Sequence, residues 1–252
     1  MGTDIHLYLE RFDDGLWTYV PGPIRTCWVC HGSGVATMAR DPAETQACFG
    51  CQGLGKQDET FYSDRNYDVF AILADVRNGH GFAGVVTGDG FHIIAEPRGL
   101  PADVSPQVEA LWEEIGDHTP SWLLVSEILA FNWWQVTTHY GTVSASQYIR
   151  WREKGGEPAS YSGGVMGPGI VTVKAEVMDR LLAEGVVTPS PEPDTHPLMD
   201  RHRATDGNQY YTQVSWTESY AVSAARFLTI LHEDIVPLSQ AQLLRLVFWF
   251  DS

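Results

Sequence analysis

Positive charge is scarce in this sequence: 16 Lys and Arg stand against 32 Asp and Glu, a formal net charge of −16 over 252 residues. Binding to a nucleic-acid backbone draws on clustered cations that displace counterions. The basic residues here are scattered and both halves of the chain are acidic, so a nucleic-acid partner is not expected. Charge of this sign keeps a surface solvated; the sharper alternative is a DNA mimic that occupies a basic groove of another protein. Long apolar runs are missing as well. A bilayer span needs about 20 apolar residues, whereas the most apolar stretch, Leu243 to Phe250, is short and holds Arg245. The opening Met1-Gly2-Thr3-Asp4-Ile5-His6 has neither the basic nor the apolar region of a secretory leader. These absences predict a cytoplasmic protein with no membrane contact. Aromatic residues, by contrast, are plentiful: 9 Trp, 10 Tyr and 10 Phe exclude disorder for the bulk of the chain. The length suits one large domain or two modest ones, with a core of real size.

Cysteine is also rare, and its four copies carry the strongest local signal. They stand as Cys27-Trp28-Val29-Cys30 and Cys48-Phe49-Gly50-Cys51, separated by residues 31–47, the spacing of a four-cysteine zinc site. Glycines follow at matching offsets in Cys30-His31-Gly32-Ser33-Gly34 and Cys51-Gln52-Gly53-Leu54-Gly55. Glycine suits a metal knuckle because it accepts positive φ and lets backbone N–H groups approach sulfur. The rival readings explain less. Cys27-x-x-Cys30-His31 matches a c-type haem attachment site but leaves the second pair idle. Disulfides are disfavoured in a cytoplasmic chain, and a thioredoxin-like pair needs a strand-to-helix setting where glycine-rich turns stand here. Four thiolates leave no open position for water, so one structural zinc, held by Cys27, Cys30, Cys48 and Cys51, is expected rather than a catalytic ion. The repeated C-x-x-C-x-G-x-G resembles the cysteine-rich zinc region of DnaJ-type co-chaperones from Cys27 to Gly55. That family normally carries four copies and two zinc ions, so two copies imply one.

Hydrophobic patterning predicts an α+β fold, a mixed or antiparallel sheet packed with several helices, carrying an inserted zinc ribbon over residues 25–56. The rest, residues 1–24 and 57–252, reads as one domain. Residues 4–10 alternate, with Ile5, Leu7 and Leu9 on one face and Asp4, His6, Tyr8 and Glu10 on the other. Asp14-Gly15 signals a hairpin, returned by a strand from Leu16 to Val20. Helices are expected over Asn66–Asn78, from Ser105-Pro106 to Gly116, from a Ser121 cap through Phe131, and from a Ser144-x-x-Gln147 capping box to Gly155. Ile170–Lys174 and Tyr210–Trp216 read as strands; Ala175–Glu184, Ser219–Leu231 and Ser239–Phe250 read as helices. Residues 188–208, with a His196 to His202 patch, read as a long loop. Gly79-His80-Gly81-Phe82-Ala83-Gly84 matches the dinucleotide fingerprint but follows a helix instead of a strand, so a glycine loop is the better reading. Trp133-Trp134 reads as core or interface filling.

One polar constellation stands out. Asp4 and His6 share a strand face about 6–7 Å apart in rise; Arg65, Asn66 and Asp68 open a helix, Arg77 and Asn78 close it, and His118 precedes another. Together these form a candidate ligand pocket, since element ends are where binding sites are commonly built. The plain alternative is a solvated strand face with helix caps. The opening Met1-Gly2-x-Asp4-Ile5-His6-Leu7-Tyr8, the run from Arg65 to Asn78, Gly81-Phe82-Ala83-Gly84 and Arg98-Gly99-Leu100-Pro101 resemble a family of uncharacterised bacteriophage-encoded proteins over about residues 1–130. The resemblance implies an accessory protein acting in the cytoplasm of the infected bacterium, and it brings no catalytic residues with it. Two functions are therefore expected in competition: a zinc-stabilised protein binding a host protein or small-molecule ligand, and a metal-dependent hydrolase of a nucleotide or phosphoester using Asp4, His6 and His118. The sequence does not specify an oligomeric state.

Overall fold

The computed structural model describes residues 2–27, 29–38, 41–58, 60–188, 204–238 and 243–251. Most of the loop expected over 188–208, including the His196 to His202 patch, lies outside them. The fold is α+β, as the patterning predicts. Its residues cluster into two compact units, each assembled from separated segments: Thr3–Arg65, Ala95–Phe131 and Arg226–Ser252 make one, and Asn66–Ile94 and Asn132–Ala225, with Met1–Gly2, make the other. No helix among the described residues is long and apolar enough to cross a membrane.

The first unit is built on a four-stranded sheet. β1 (Asp4–Asp13) turns at Asp14-Gly15 into β2 (Leu16–Val20), as the alternation and the hairpin signal require. β7 (His118–Leu124) lies at the opposite edge, and β11 (Leu244–Asp251) fills the gap, giving the order β2-β1-β11-β7 with antiparallel pairing throughout. A helix over Ser239–Phe250 is thereby overturned: the described part of that run is a strand, and residues 239–242 lie outside the description. The reason is burial on both faces. No residue from Leu244 to Phe250 is more than 3% exposed, and a short continuous apolar run has no period to separate strand from helix. Ser121 is likewise a strand residue in β7 and caps nothing; the helix behind it, α3 (Val125–Ala130), starts after Leu124. Glu127 sets that start by accepting the Leu124 N–H at 2.8 Å while Arg98 grips its carboxylate at 2.6 and 2.8 Å.

Direct antiparallel pairs put His6, Tyr8 and Glu10 beside Trp249, Val247 and Arg245 on one face of the sheet. α2 (Pro106–Ile115), with proline at its first turn, covers this face: Val108, Leu111 and Trp112 pack with Tyr8, Val247 and Trp249. Inside the same face lies an ion pair. Arg245 Nε donates to Glu10 Oε2 at 2.7 Å with the two side chains 2% and 0% exposed. The other Glu10 oxygen accepts the Ser105 N–H at 2.7 Å, and Arg245 donates further to the Asp103 carboxylate and carbonyl at 2.7 and 3.0 Å. The guanidinium also lies 4.0 Å from the centre of the Trp17 ring, so its plane and its edges are both occupied.

The second unit holds a three-stranded sheet ordered β8-β10-β9, in which β10 (Gln209–Ser219) runs antiparallel to β8 (Val136–Ser144) and parallel to β9 (Ile170–Val173). α4 (Ala145–Lys154) begins where Ser144 Oγ accepts the Gln147 N–H and stops at Gly155 in positive φ. α5 (Ala175–Ala183) follows β9, and Met178, Tyr148, Val143 and Val214 form the core between these elements. α1 (Tyr67–Ala74) is capped by Asn66, whose Oδ1 accepts the N–H groups of Asp68 and Val69 at 3.0 and 3.2 Å. It is shorter than the apolar stripe predicts because Asp75 adopts the left-handed conformation and closes it. The expected helix over Ser219–Leu231 is broken at Ala224 into α6 (Tyr220–Ser223) and α7 (Ala225–Ile230). The Gly79–Gly84 segment is a tight loop pinned by Thr87 N–H to Gly79 O and Gly81 N–H to Val85 O.

Removing one partner of the buried pair should be costly. Arg245→Met strands Glu10 in the core and is expected to cost about 3–5 kcal/mol, read as a fall in the urea midpoint by tryptophan fluorescence. Adding Glu10→Leu to it should return most of that loss.

Candidate metal centre

The cysteine ribbon belongs to the first unit and is framed by two short ladders: β3 (Ile24–Thr26) pairs with β6 (Lys56–Asp58), and β4 (Val35–Met38) pairs with β5 (Asp41–Ala47). Each knuckle hands its chain to the other. Cys27 N–H donates to Gly55 O at 3.0 Å and Cys48 N–H to Gly34 O at 2.9 Å. Inside each knuckle the turn closes by Ser33 N–H to Cys30 O and Leu54 N–H to Cys51 O. The conformations repeat too: His31 and Gln52 have φ of 49° and 50°, Gly32 and Gly53 of 88° and 89°. Gly34 and Gly55 cannot carry a side chain, since a Cβ would fall 2.3 Å from Gly53 O and 2.4 Å from Gly32 O. What these glycines allow is approach to sulfur, Gly34 N–H to Cys30 Sγ at 3.3 Å and Gly55 N–H to Cys51 Sγ at 3.1 Å.

All four cysteines are buried and none is disulfide-bonded. Cys27 and Cys48 have their sulfurs 3.8 Å apart, Cys30 and Cys51 3.7 Å, and all four lie within 4.8 Å of one another. A tetrahedron with metal–sulfur bonds of about 2.3 Å has edges of about 3.8 Å. The set therefore fits a single tetrahedral ion, and it is closed. Without metal the sulfurs share protons unequally. Burial pushes the Cys48 thiol up to about 11. Burial opposes ionisation of Cys30 as well, yet the Gly34 N–H, the Cys51 and Cys27 thiols and the Gly32 N–H together bring it down to about 6.

The residues of the polar constellation read from the sequence fall in both units. Asp4, His6 and Arg65 come together around Asp251: Arg65 Nε and Nη2 donate to the Asp4 carboxylate at 2.7 and 2.5 Å, and His6 Nε2 sits 3.2 Å from Asp251 Oδ2. The Arg65 fork holds the Asp4 carboxyl below the usual range. His118 stacks on Phe250 and meets Thr119 Oγ1 at 3.0 Å. In the second unit Asn66 caps α1 and donates to Ser223 O at 2.8 Å. Arg77 lies over the Tyr67 ring and reaches Gly81 O. Asn78 exchanges hydrogen bonds with the Phe91 backbone at 2.9 and 2.6 Å, and it lines a cleft of about 430 Å³ with Asp75, Asp89, His92, Thr137 and Tyr220.

Asp68 has partners that the sequence did not announce. Its carboxylate, His139 and Glu218 bring three ligand-type atoms within 4.8 Å of one another. His139 Nε2 is 3.2 Å from Glu218 Oε1, and that oxygen also accepts the Ser223 hydroxyl at 2.7 Å. Burial pushes the Asp68 carboxyl up to about 6, with His139 acting to lower it and Glu218 and Glu157 to raise it. His139 and Trp216 are direct cross-strand partners, and Glu218 follows Trp216 by two. The period-2 alternation of β10 was the available signal, but Trp216 and its partner His139 stand 77 residues apart in sequence. Compared with known proteins, the chain matches no family model, no curated protein and no solved structure.

The backbone approach at the knuckles should be indispensable to metal retention. Gly34→Ala and Gly55→Ala are each expected to weaken the ion by about 10-fold or more, the scale of losses around a metal's immediate ligands, read by competition with a chromophoric chelator.

Proposed function

We propose that this chain is a zinc-stapled binding protein, a bacteriophage accessory factor that works in the cytoplasm of the infected cell and takes a small polar ligand or a host protein. The observation that carries the staple is the closed four-sulfur set, whose edges suit tetrahedral zinc and whose coordination leaves no place for substrate water. Zinc supplies folding energy there. The ribbon's own apolar cluster consists of the four cysteines with Val29 and Ala36 packed against them, too little to order it unaided. Cys27, Cys30, Cys48 and Cys51 would hold the ion, and the two glycine N–H groups would stabilise the thiolates. For the ligand, the second unit offers a cleft of about 430 Å³ with mixed polar lining, within the range of about 300–1,000 Å³ usual for small-molecule sites. On the first unit, the half-exposed Asp4, Arg65, His6 and Asp251 group is the surface suited to a protein partner.

A second reading, a metal-dependent hydrolase of a nucleotide or phosphoester, is favoured by one observation, the Asp68, His139 and Glu218 cluster. Asp4, His6 and His118 do not support it: Asp4 is occupied by Arg65, and His6 and His118 lie against Trp249 and Phe250.

Metal analysis should find one tightly held zinc per chain. Cys48→Ser should release it and expose residues 25–56 to proteolysis while the tryptophan-rich sheet stays folded; zinc in finger peptides is worth about 10–16 kcal/mol of apparent binding. A chain free of zinc with an equally protected ribbon would overturn the staple. Turnover of bis(p-nitrophenyl) phosphate with added Mn²⁺, lost in Glu218→Gln, would move the assignment to the hydrolase.

A further inference from the structure

We propose that Asp68, His139 and Glu218 form a second cation site, independent of the cysteines, that takes a divalent ion of the manganese, iron or zinc group and leaves coordination positions open. Three elements converge to build it: the first turn of α1 supplies Asp68, β8 supplies His139 and β10 supplies Glu218. Their ligand-type atoms all lie within 4.8 Å of one another; ligands about 2.0–2.2 Å from one ion are at most about 4.4 Å apart, so a small inward shift of the side chains closes the set on one ion. One imidazole and two carboxylates form a mixed donor set. Imidazole suits iron and zinc, and carboxylate suits manganese and magnesium. The soft four-thiolate ribbon selects differently, so the two sites need not compete.

The surroundings hold these donors in place. His139 is stacked against Trp216 at 5.5 Å with 17° between the rings, and Phe91 meets it edge-on at 5.9 Å. Gly141, two residues along β8, has no side chain because a Cβ would fall within 3.1 Å of both Tyr161 and Trp216. The His139 and Glu218 side chains are only 11% and 18% exposed, and Ser223 fixes a Glu218 oxygen from the side. Two carboxylates this close repel each other unless positive charge stands between them.

A second observation points to a missing partner. Trp216, 6% exposed and stacked on the cluster's histidine, buries its indole N–H with no hydrogen-bond partner among the described residues. Buried donors of this kind are ordinarily satisfied; Trp151 and Trp249 bury indole N–H groups in the same state, so it is the three-donor geometry that carries the site, and a water held by the ion would give the Trp216 N–H a partner. Phe91 joins the site to the cleft, since it lines the cleft and packs on His139. The cleft and the cluster thus share one aromatic wall.

The test uses the whole chain with its cysteines loaded with zinc, titrated with Mn²⁺ and followed by loss of the free-ion EPR signal. One Mn²⁺ per chain is expected, with zinc content unchanged. Glu218→Gln and Asp68→Asn, which keep size and hydrogen bonding, should each weaken Mn²⁺ by about 10-fold or more, and His139→Ala should abolish binding. Glu153→Gln, an exposed acid on α4, should change nothing. Thermal unfolding of the same variants separates a lost ligand from a lost fold. Absence of stoichiometric Mn²⁺ binding, or equal binding by Glu218→Gln and Asp68→Asn, would overturn the site and leave an imidazolium–carboxylate cluster. The site deepens the hydrolytic reading without depending on it: binding without phosphoester turnover would keep the site and remove that reading.

Discussion

The Glu10–Arg245 pair is the constraint on which the four-stranded sheet turns. Both groups are charged, both are withdrawn from water, and they are direct partners across β1 and β11. A slip of one residue between these strands would carry Arg245 to the opposite face, among Leu7, Leu9 and Phe248, with no acid to meet it. Apolar residues alone would tolerate such a slip, because β11 is apolar on both faces. The buried pair thus acts as a register pin, and its remaining hydrogen-bond capacity is taken up by Ser105 N–H, Asp103 and the face of Trp17. The consequence reaches the polar group at the other end of the strand. With Glu10 opposite Arg245, Asp4 must lie opposite Asp251 and His6 opposite Trp249.

The ribbon obeys a different economy. It has strands of three to seven residues and, among the described residues, little apolar interior beyond its sulfurs. Its geometry is symmetric: two knuckles with the same backbone angles cross-bonded through glycine carbonyls. The Gly34 and Gly55 N–H groups that approach sulfur belong to glycines whose Cβ would collide with the opposite knuckle. The same close approach that makes the two halves interlock is what brings four sulfurs to tetrahedral spacing.

In the second unit, chemistry sits on the inward face of a small sheet. Val214, Trp216 and Glu218 alternate along β10, and the face passes from apolar core to aromatic wall to carboxylate over five residues. His139 meets that face from β8 and Asp68 from the start of α1. The aromatic wall has two effects here. It fixes the imidazole plane, and it lowers the local dielectric so that charge on the two carboxylates costs more than it would in water. A polar cleft lies beside it, lined in part by Asn78, whose side chain is spent on the loop carrying Phe91 and is thus a support for the wall as much as a lining residue.

The sequence by itself determined what depends on near neighbours. Spacing and glycine offset specified the four sulfurs; alternation and Asp14-Gly15 specified β1 and β2; Ser144 with Gln147 and Gly155 specified both ends of α4. It did not determine β11. A continuous apolar run reads alike as helix or strand, and only the vacancy between β1 and β7, with Glu10 waiting for a cation, makes it a strand. It separated Asp68 from His139 and Glu218 for the same reason. Each was an ordinary polar residue within its own segment, and none shares a local pattern with the others. Strand pairing over long sequence distance, which no local period encodes, decided that they meet.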